Sequence, residues 1–579
     1  MASGPTGGLK DTIPPLCLES NPASGTVNVK EGKLTLYFDE YISLSNPSKN
    51  VIISPTQTTP PIVKGIGRKV SVELKDSLLP NTTYTVDFGK SIVDYNESNA
   101  AEQFFFCFST GPTLDSMSIS GTVLDANTLT PKKEVYVGVY SNLSDTIFAK
   151  EKMERIAMTD ADGKFILRNL AVKPYRIYAL ADANANNYFD LPTEALAFQL
   201  GTVQPAMEEH AVADTFYNDS MQVSKIEQRI ERRFYPDSLV LLMYNEEVRQ
   251  QLFVKQERRE ADKLSLYFKN YNKLMPELVP LNFKKKDWAV VEPSITMDTI
   301  TYWVKDTTLA KMDTLLFVMN YKKYDSTNVL IPATDTLAFS YIDPMAKKPK
   351  KKKKQEPKEK FLDVESFTSV LEWDENPILT WNRPVVSFGK EQCRIQEKKD
   401  STWKNVDFTV EPKQGSAAAG RSFLFKLQVN PEYRYQLIID SAKVQSINGL
   451  HNDSISWPLR RRSDDDYVKL VIHTKNAPAN AVVEVLVGKA VRDKVRLNEK
   501  GDAVFDKILP AECTIRMFED KNGDGRWTTG EYAKQRLPEP VYYFNKTVSL
   551  KSGWDQEEDW DVTELPLPQQ APKSEKKKK

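Results

Sequence analysis

The feature that most constrains this chain is a period-two alternation of apolar and polar residues. Leu34, Leu36 and Phe38 alternate with polar neighbours. So do Tyr84, Val86 and Phe88, then Phe104, Phe106 and Phe108, Leu264, Leu266 and Phe268, and Ile300, Tyr302 and Val304. Successive side chains of a strand point to opposite faces, so this pattern sets one face on a core and the other in water. That is the signature of antiparallel sheets. The short apolar runs are broken by Pro, Gly, Asn and Asp turns, which predicts an all-β fold of tandem β-sandwiches. Residues 221–262 depart from the pattern: RIERRF (229–234) and EEVRQQLFVKQERR (246–259) have a helix-compatible spacing.

At 579 residues the chain is long enough for three to five domains, and turns and composition place the boundaries. Residues 1–10 read as a spacer, 11–113 as a first sandwich (A) and 114–205 as a second (B). Residues 206–345 read as a β-rich unit of unassigned type (C). Residues 346–360 read as a Lys-rich linker or loop, 361–463 as a fourth unit (A′), 464–552 as a fifth (B′) and 553–579 as a disordered tail. The formal net charge of zero hides an uneven distribution. Nine Lys face Glu356 and Glu359 in 347–360, and five Lys face Glu575 in 573–579, which leaves the rest of the chain at −11. An acidic body argues against nucleic acid as a partner.

The units come in duplicate. Setting Gly163 against Gly501 aligns Phe165-Ile166-Leu167 with Ala503-Val504-Phe505, Leu170 with Ile508, and Ile177 with Ile515. It also aligns Asp182 with Asp520 and Asn184 with Asn522, all without a gap. Units A and A′ correspond through FDEYI (38–42) with WNRPV (381–385), and LPNTTYTV (79–86) with NPEYRYQL (430–437). The order is A-B-C-A′-B′.

Three features of A (Phe38-Asp39-Glu40-Tyr41-Ile42, the turn Leu79 to Tyr84, and the closing Phe108-Ser109-Thr110-Gly111) make the A units resemble the bacterial SbsA-type Ig-like domain. SISGTV (118–123) and DADGKFILRNL (160–170) make the B units resemble carboxypeptidase-regulatory-like, or transthyretin-like, sandwiches. The whole order is similar to Ig-like lipoproteins of Bacteroidota, whose Gly/Pro-rich spacer and Lys-Asp-Thr-Ile-Pro-Pro segment match residues 4–8 and 10–15. The resemblance implies an outer-membrane, lipid-anchored protein on the periplasmic or cell-surface face. The lipidated Cys and signal do not occur in this chain. Fourteen Asp-Ser/Thr-apolar (or Thr) sites, from Thr12 to Ser454, resemble the O-glycosylation acceptor of exported proteins of that phylum. Asp-Ser/Thr as an ordinary start of turns and strands is the plainer reading.

Residues 520–531, DKNGDGRWTTGE, follow the calcium-loop pattern D-x-N-x-D-G-x5-E. Ligands would be Asp520, Asn522, Asp524, the Arg526 carbonyl, Thr528 and Glu531, with Gly525 at the sharp turn. No EF-hand helices flank the loop, so it predicts a structural Ca2+ at a sandwich end rather than a switch. The competing reading is a metal-free surface turn. The first copy keeps Asp182, Asn184, Asn186 and Asp190, but Asn187 replaces the Gly and Glu194 falls one place beyond position 12.

Other chemistry is thin. No GxSxG, HExxH, phosphate-binding loop or dinucleotide fingerprint occurs. The four cysteines (17, 107, 393, 513) form no CxxC, although Cys17 and Cys107 share unit A and can pair. Three scattered histidines read as surface or satisfied residues. Trp381, Trp403 and Trp457 offer sugar-stacking surfaces if exposed. No apolar run is long enough for a membrane helix, and no secretory apolar segment follows Met1. These features predict a non-enzymatic scaffold that binds protein partners. An accessory subunit of an outer-membrane β-barrel machine and a carbohydrate-binding module are the alternatives.

Overall fold

In the computed structural model, residues 12–101, 104–191, 193–217, 223–247, 252–270, 274–324, 330–341, 361–413 and 420–570 are described. The chain is all-β, as the alternation predicts, and divides into two compact units. One comprises 1–247, 469–551 and 555–579; the other comprises 248–468 and 552–554. No described helix is long and apolar enough to cross a membrane.

In the first unit, A packs a four-stranded sheet (Cys17–Asn21, Lys33–Phe38, Lys69–Glu73, Ile62–Ile66, in spatial order) against a three-stranded one (Ile52–Ser54, Thr83–Asp87, Phe105–Ser109). Leu34, Leu36, Phe38, Val70, Tyr84, Val86, Phe106 and Phe108 fill the space between. The alternation read in the sequence is thus the inward face of these strands. Cys17 and Cys107 are free thiols, so the pairing open to them is not made.

B and B′ share one strand order. In B the sheets run Lys164–Leu170, Met117–Asp125, Leu239–Met243, and Arg155–Met158, Tyr136–Tyr140, Arg176–Leu180, Leu196–Phe198. In B′ they run Asp502–Ile508, Val468–Lys475, Gln556–Asp561, and Ala490–Arg496, Ala481–Val487, Glu512–Glu519, Val541–Ser549. The aligned pairs occupy equivalent places. Gly163 and Gly501 both have positive φ (73° and 83°), and Ile177 and Ile515 are both buried.

Two boundaries move as a result. Each B module is closed by a strand running parallel to its first: Leu239–Met243 beside Met117–Asp125, and Gln556–Asp561 beside Val468–Lys475. Residues 206–247 therefore belong with B rather than C. The stretch from 553, expected to be a disordered tail, supplies a sheet strand and then the short helix Leu567–Gln570, whose Gln570 is buried. Residues 571–579 and the Lys-rich 346–360 lie outside the described residues. The helix-compatible stretch is also strand: Val223–Tyr235 pairs with Ala206–Tyr217 as a long two-stranded ribbon, and Phe253–Glu260 pairs with Lys263–Phe268.

In the second unit, C has a four-stranded sheet (Phe253–Glu260, Lys263–Phe268, Thr299–Val304, Ala289–Pro293) and a three-stranded one (Glu277–Pro280, Thr314–Tyr324, Leu330–Ser340) around Leu266, Trp288, Phe317 and Phe339. A′ repeats the order of A: Val364–Phe367, Ile378–Trp381, Ser422–Lys426, Thr409–Pro412. Its second sheet is extended to five strands. The aligned turns fold alike. The Leu79 amide donates to the Tyr84 hydroxyl at 2.8 Å, and the Asn430 amide donates to the Tyr435 hydroxyl at 3.1 Å. This tyrosine corner, a recurrent device of Ig-like sandwiches, pins the start of the strand to the preceding turn.

Candidate functional site

The duplicated loops at one end of B and B′ hold the residues singled out as metal ligands. In B′ the Asp520 carboxylate is buried and accepts the amides of Gly523 and Gly525, each at 2.9 Å. In B the Asp182 carboxylate accepts those of Ala185 (2.7 Å) and Asn187 (2.8 Å). All four donors lie at positive φ, which curls the loop so that its amides converge on the carboxylate. Glycine supplies that conformation in B′ and strained Ala and Asn supply it in B. The two loops therefore fold alike although B lacks the glycines.

Each loop is closed by a buried glutamate that the gap-free alignment did not pair. Glu194 accepts the Ala183 amide at 2.9 Å, and Glu539 accepts the Lys521 amide at 2.8 Å and the Thr528 amide at 2.8 Å. Each stands two residues before the next strand. Seven extra residues in B′ displace Glu539 from register, and this hid the equivalence. Glu531, expected to close the calcium cage, is turned to Lys534 (3.0 Å) and Arg536 (3.4 Å).

Charge in the B′ loop is already compensated. Arg496 pairs with Asp520, and Lys494 donates to the Gly525 carbonyl at 2.5 Å. Burial would raise the Asp520 pKa, but the Gly525 amide, Arg496 and the Gly523 amide outweigh it and hold the carboxyl below its ordinary range. Burial pushes Glu539 the other way. Asn522 donates to Asp524 (3.2 Å) and to Thr528 (2.7 Å), so those side chains share one side of the loop. In the first copy Asn184 donates to Asp190 at 3.2 Å, and the Asn186 side chain accepts the Tyr188 amide at 3.0 Å. Among the described residues no group of three or more His, Cys, Asp or Glu is placed to hold a metal ion.

The seven extra residues of B′ have a structural task. They bring Tyr532 into the aromatic cluster of B, its ring centroid 5.6–6.2 Å from those of Phe148, Tyr178, Phe189 and Phe198. The Tyr532 hydroxyl donates to the Asp145 carbonyl, and Thr529 donates to the Asn245 carbonyl at 2.7 Å. On a neighbouring patch Leu129 of B is buried among Val482, Leu486, Phe518 and Tyr543 of B′. The loop thus joins two repeats.

Elsewhere, a cleft of about 980 Å³ between A and B carries both signs of charge, with Lys49 paired to Glu134 at 2.6 Å. Of the tryptophans, Trp381 is fully buried, Trp457 stacks on Phe367 at 5.5 Å, and Trp403 is 40% exposed. His210 is exposed beside Glu208 (3.5 Å), and His473 pairs with Asp502 (2.8 Å). Of the fourteen Asp-Ser/Thr sites, Ser220 and Ser326 lie outside the described residues, and none of the others is buried. Several of the preceding aspartates are structural: Asp306 caps the short helix Thr307–Ala310, and Asp440 pairs with Arg394.

The modules are thus tandem β-sandwiches, Ig-like in A. Residues 11–110 match the family model described as "Bacterial Ig-like domain", and no curated protein matches the chain. Among solved structures, the surface layer protein SbsC, domains 1–6, is 11% identical over 93% of this chain and 68% of its own, at a TM-score of 0.13. The major pilin subunit BcpA of Bacillus cereus is 10% identical over 77% of this chain and 99% of its own, at 0.12. The BSP domain of a biofilm-associated protein is 8% identical over 98% and 99%, at 0.12.

Proposed function

We propose that this is a non-enzymatic cell-surface protein, held at the outer membrane by a lipid anchor, whose sandwiches form a scaffold for a protein partner. One observation supports the reading above the rest. B and B′ share every sheet strand, yet only B carries the ribbon Ala206–Tyr217 and Val223–Tyr235 before its closing strand. The duplicate is an internal control: the fold closes without the ribbon, so the ribbon serves something else. Its described outer residues include Glu208, Glu209, Ile230, Glu231, Arg232 and Arg233, all exposed. Among the described residues no third strand pairs with the ribbon, and such outer edges suit adding a partner's strand. Deleting 206–235 in favour of a turn should leave melting unchanged and abolish partner recovery from native membranes, read by mass spectrometry. Recovery of the same partners by the deleted chain would refute the ribbon's role. A β-barrel among the lost partners would select the membrane-machine form of this proposal.

We propose that Asp520, Asn522, Asp524, the Arg526 carbonyl and Thr528 supply oxygens for a Ca2+ on this loop, with the buried carboxylate of Glu539 beside it in place of Glu531. Binding requires Arg496 to leave Asp520, so affinity should be weak, in the range of about 10⁻⁴–10⁻³ M common in extracellular modules. At calcium tenfold above Kd the stabilisation is about 1.4 kcal/mol, a rise of roughly 2–4 °C in Tm for a unit of this size. Equal melting in calcium and in chelator would remove the metal from the account.

A further inference from the structure

We propose that the outer face of the five-stranded A′ sheet binds an acidic saccharide. The strands run Val370–Leu371, Ile455–Arg461, Arg434–Ile439, Arg394–Lys398, Trp403–Asn405 in spatial order. Register sets two rows of side chains across this sheet. In one, Lys398 lies opposite Trp403 on one side and Arg434 on the other, and Arg460 lies opposite Val370. Tyr435 faces Leu459, so Arg434 and Arg460 are cross-strand neighbours. The row reads Trp403-Lys398-Arg434-Arg460, with Lys398 Nζ 5.9 Å from the indole centroid. In the adjacent row Gln436 donates to Gln396 at 2.9 Å and Gln396 donates to Asn405 at 3.0 Å, a ladder of side-chain amides.

A shallow groove of about 540 Å³ runs over this face, lined by Ser369, Trp403, Arg434, Gln436, Ser456 and Arg460. Arg394, one row further, is taken by Asp440. Arg434 and Arg460 make no ion pair among the described residues.

The duplication again serves as a control. The offset that aligns the tyrosine corners puts Arg434 and Gln436 where A has Thr83 and Thr85. In A those threonines are buried, and Thr85 donates to Asn169 of B at 3.0 Å, so that face is closed by a packed sandwich. A also has no counterpart of the strand Trp403–Asn405. In A′ the face has exchanged small packing residues for two guanidinium groups, an amide ladder and an exposed indole.

Each group has a distinct use toward one ligand class. A guanidinium fork takes a carboxylate through two parallel hydrogen bonds. The indole offers a flat apolar surface to the C–H face of a pyranose ring, and the ladder fixes amide groups for hydroxyls. Neighbouring strands are about 4.8 Å apart, so Trp403 lies roughly 10 Å from Arg434 and a further 5 Å from Arg460. That span fits a short run of sugar rings with spaced carboxylates, a uronic-acid polymer, better than a single sugar.

The test is affinity electrophoresis of the full chain in gels containing alginate, polygalacturonate or dextran, with polyglutamate as competitor. Retardation by a uronate polymer but not by dextran is expected. Trp403→Ala, and the double variant Arg434→Ala/Arg460→Ala, should each weaken it at least about tenfold with melting unchanged. Absence of retardation by both uronate polymers, or retardation that survives both variants, overturns the proposal. Competition by polyglutamate as effective as by free uronate oligomers also overturns it, because charge alone then explains the binding and the partner is an acidic peptide.

Discussion

Replacing Arg421 by Ala should destabilise the unit built from C and A′ by about 3–5 kcal/mol. Its guanidinium, with 14% of the side chain exposed, holds Glu292 of C bidentately at 2.8 and 2.9 Å; that glutamate is 10% exposed. It also donates to the Trp381 carbonyl at 2.9 Å, pairs with Glu365, and lies 5.7 Å from the Trp303 ring centroid. Trp303 in turn donates its indole N–H to Glu292 at 2.6 Å. Burial alone would lower the arginine's pKa, and Glu292 reverses the shift. Truncation leaves Glu292 charged and buried with only the indole, and breaking one half of a buried pair costs far more than the pair contributes. The single variant should therefore be much worse than Arg421→Met/Glu292→Met, which removes both charges. A urea transition for this unit that moves by less than about 1 kcal/mol in Arg421→Ala, or a double variant as damaged as the single, would show that the network is not a structural joint.

The network also shows what a linear reading omits. Arg421, Arg383, Glu292 and Asp262 each look like one more charge in a chain that is 27% charged. Arg383 pairs with Asp262 at 2.7 Å across a separation of 121 residues, which no periodicity reports. What was legible is what local physics repeats. Alternation marked the strands because one face of each is buried. The glycine offset marked B and B′ because Gly163 and Gly501 occupy the same left-handed turn. The tyrosine corner marked A and A′ because the same short loop recurs.

What was missed has physical reasons too. RIERRF reads as helix because long charged residues favour helices, and none of its six residues is buried to enforce alternation. Glu539 was missed because seven inserted residues separate it from the register of Glu194. The closing strand Gln556–Asp561 was missed because four of its six residues are acidic; only Trp560, 5% exposed, marks its buried side.

Those inserted residues set the second large effect. Tyr532→Ala should cost about 3–5 kcal/mol, the range for emptying a buried aromatic site. The cavity would lie among Phe148, Tyr178, Phe189 and Phe198, four rings held by B and unable to follow a side chain that belongs to B′. Tyr532→Phe keeps the edge-to-face ring contacts and loses only the bond to the Asp145 carbonyl, so about 1 kcal/mol is expected. Gly530 gives an independent probe. A Cβ there would stand 2.3 Å from Cζ of Tyr244, itself 3% exposed, so Gly530→Ala must force the two repeats apart locally without deleting any contact atom. If B and B′ act as one cooperative body, Tyr532→Ala and Gly530→Ala should both split their thermal transition into two and raise exchange of the Phe189 and Tyr244 amides, which donate to the Phe148 and Leu196 carbonyls at 2.9 Å each. A single transition shifted only slightly in both variants would mean that the Leu129 patch alone joins the repeats, and that the insertion in B′ is free to serve another purpose.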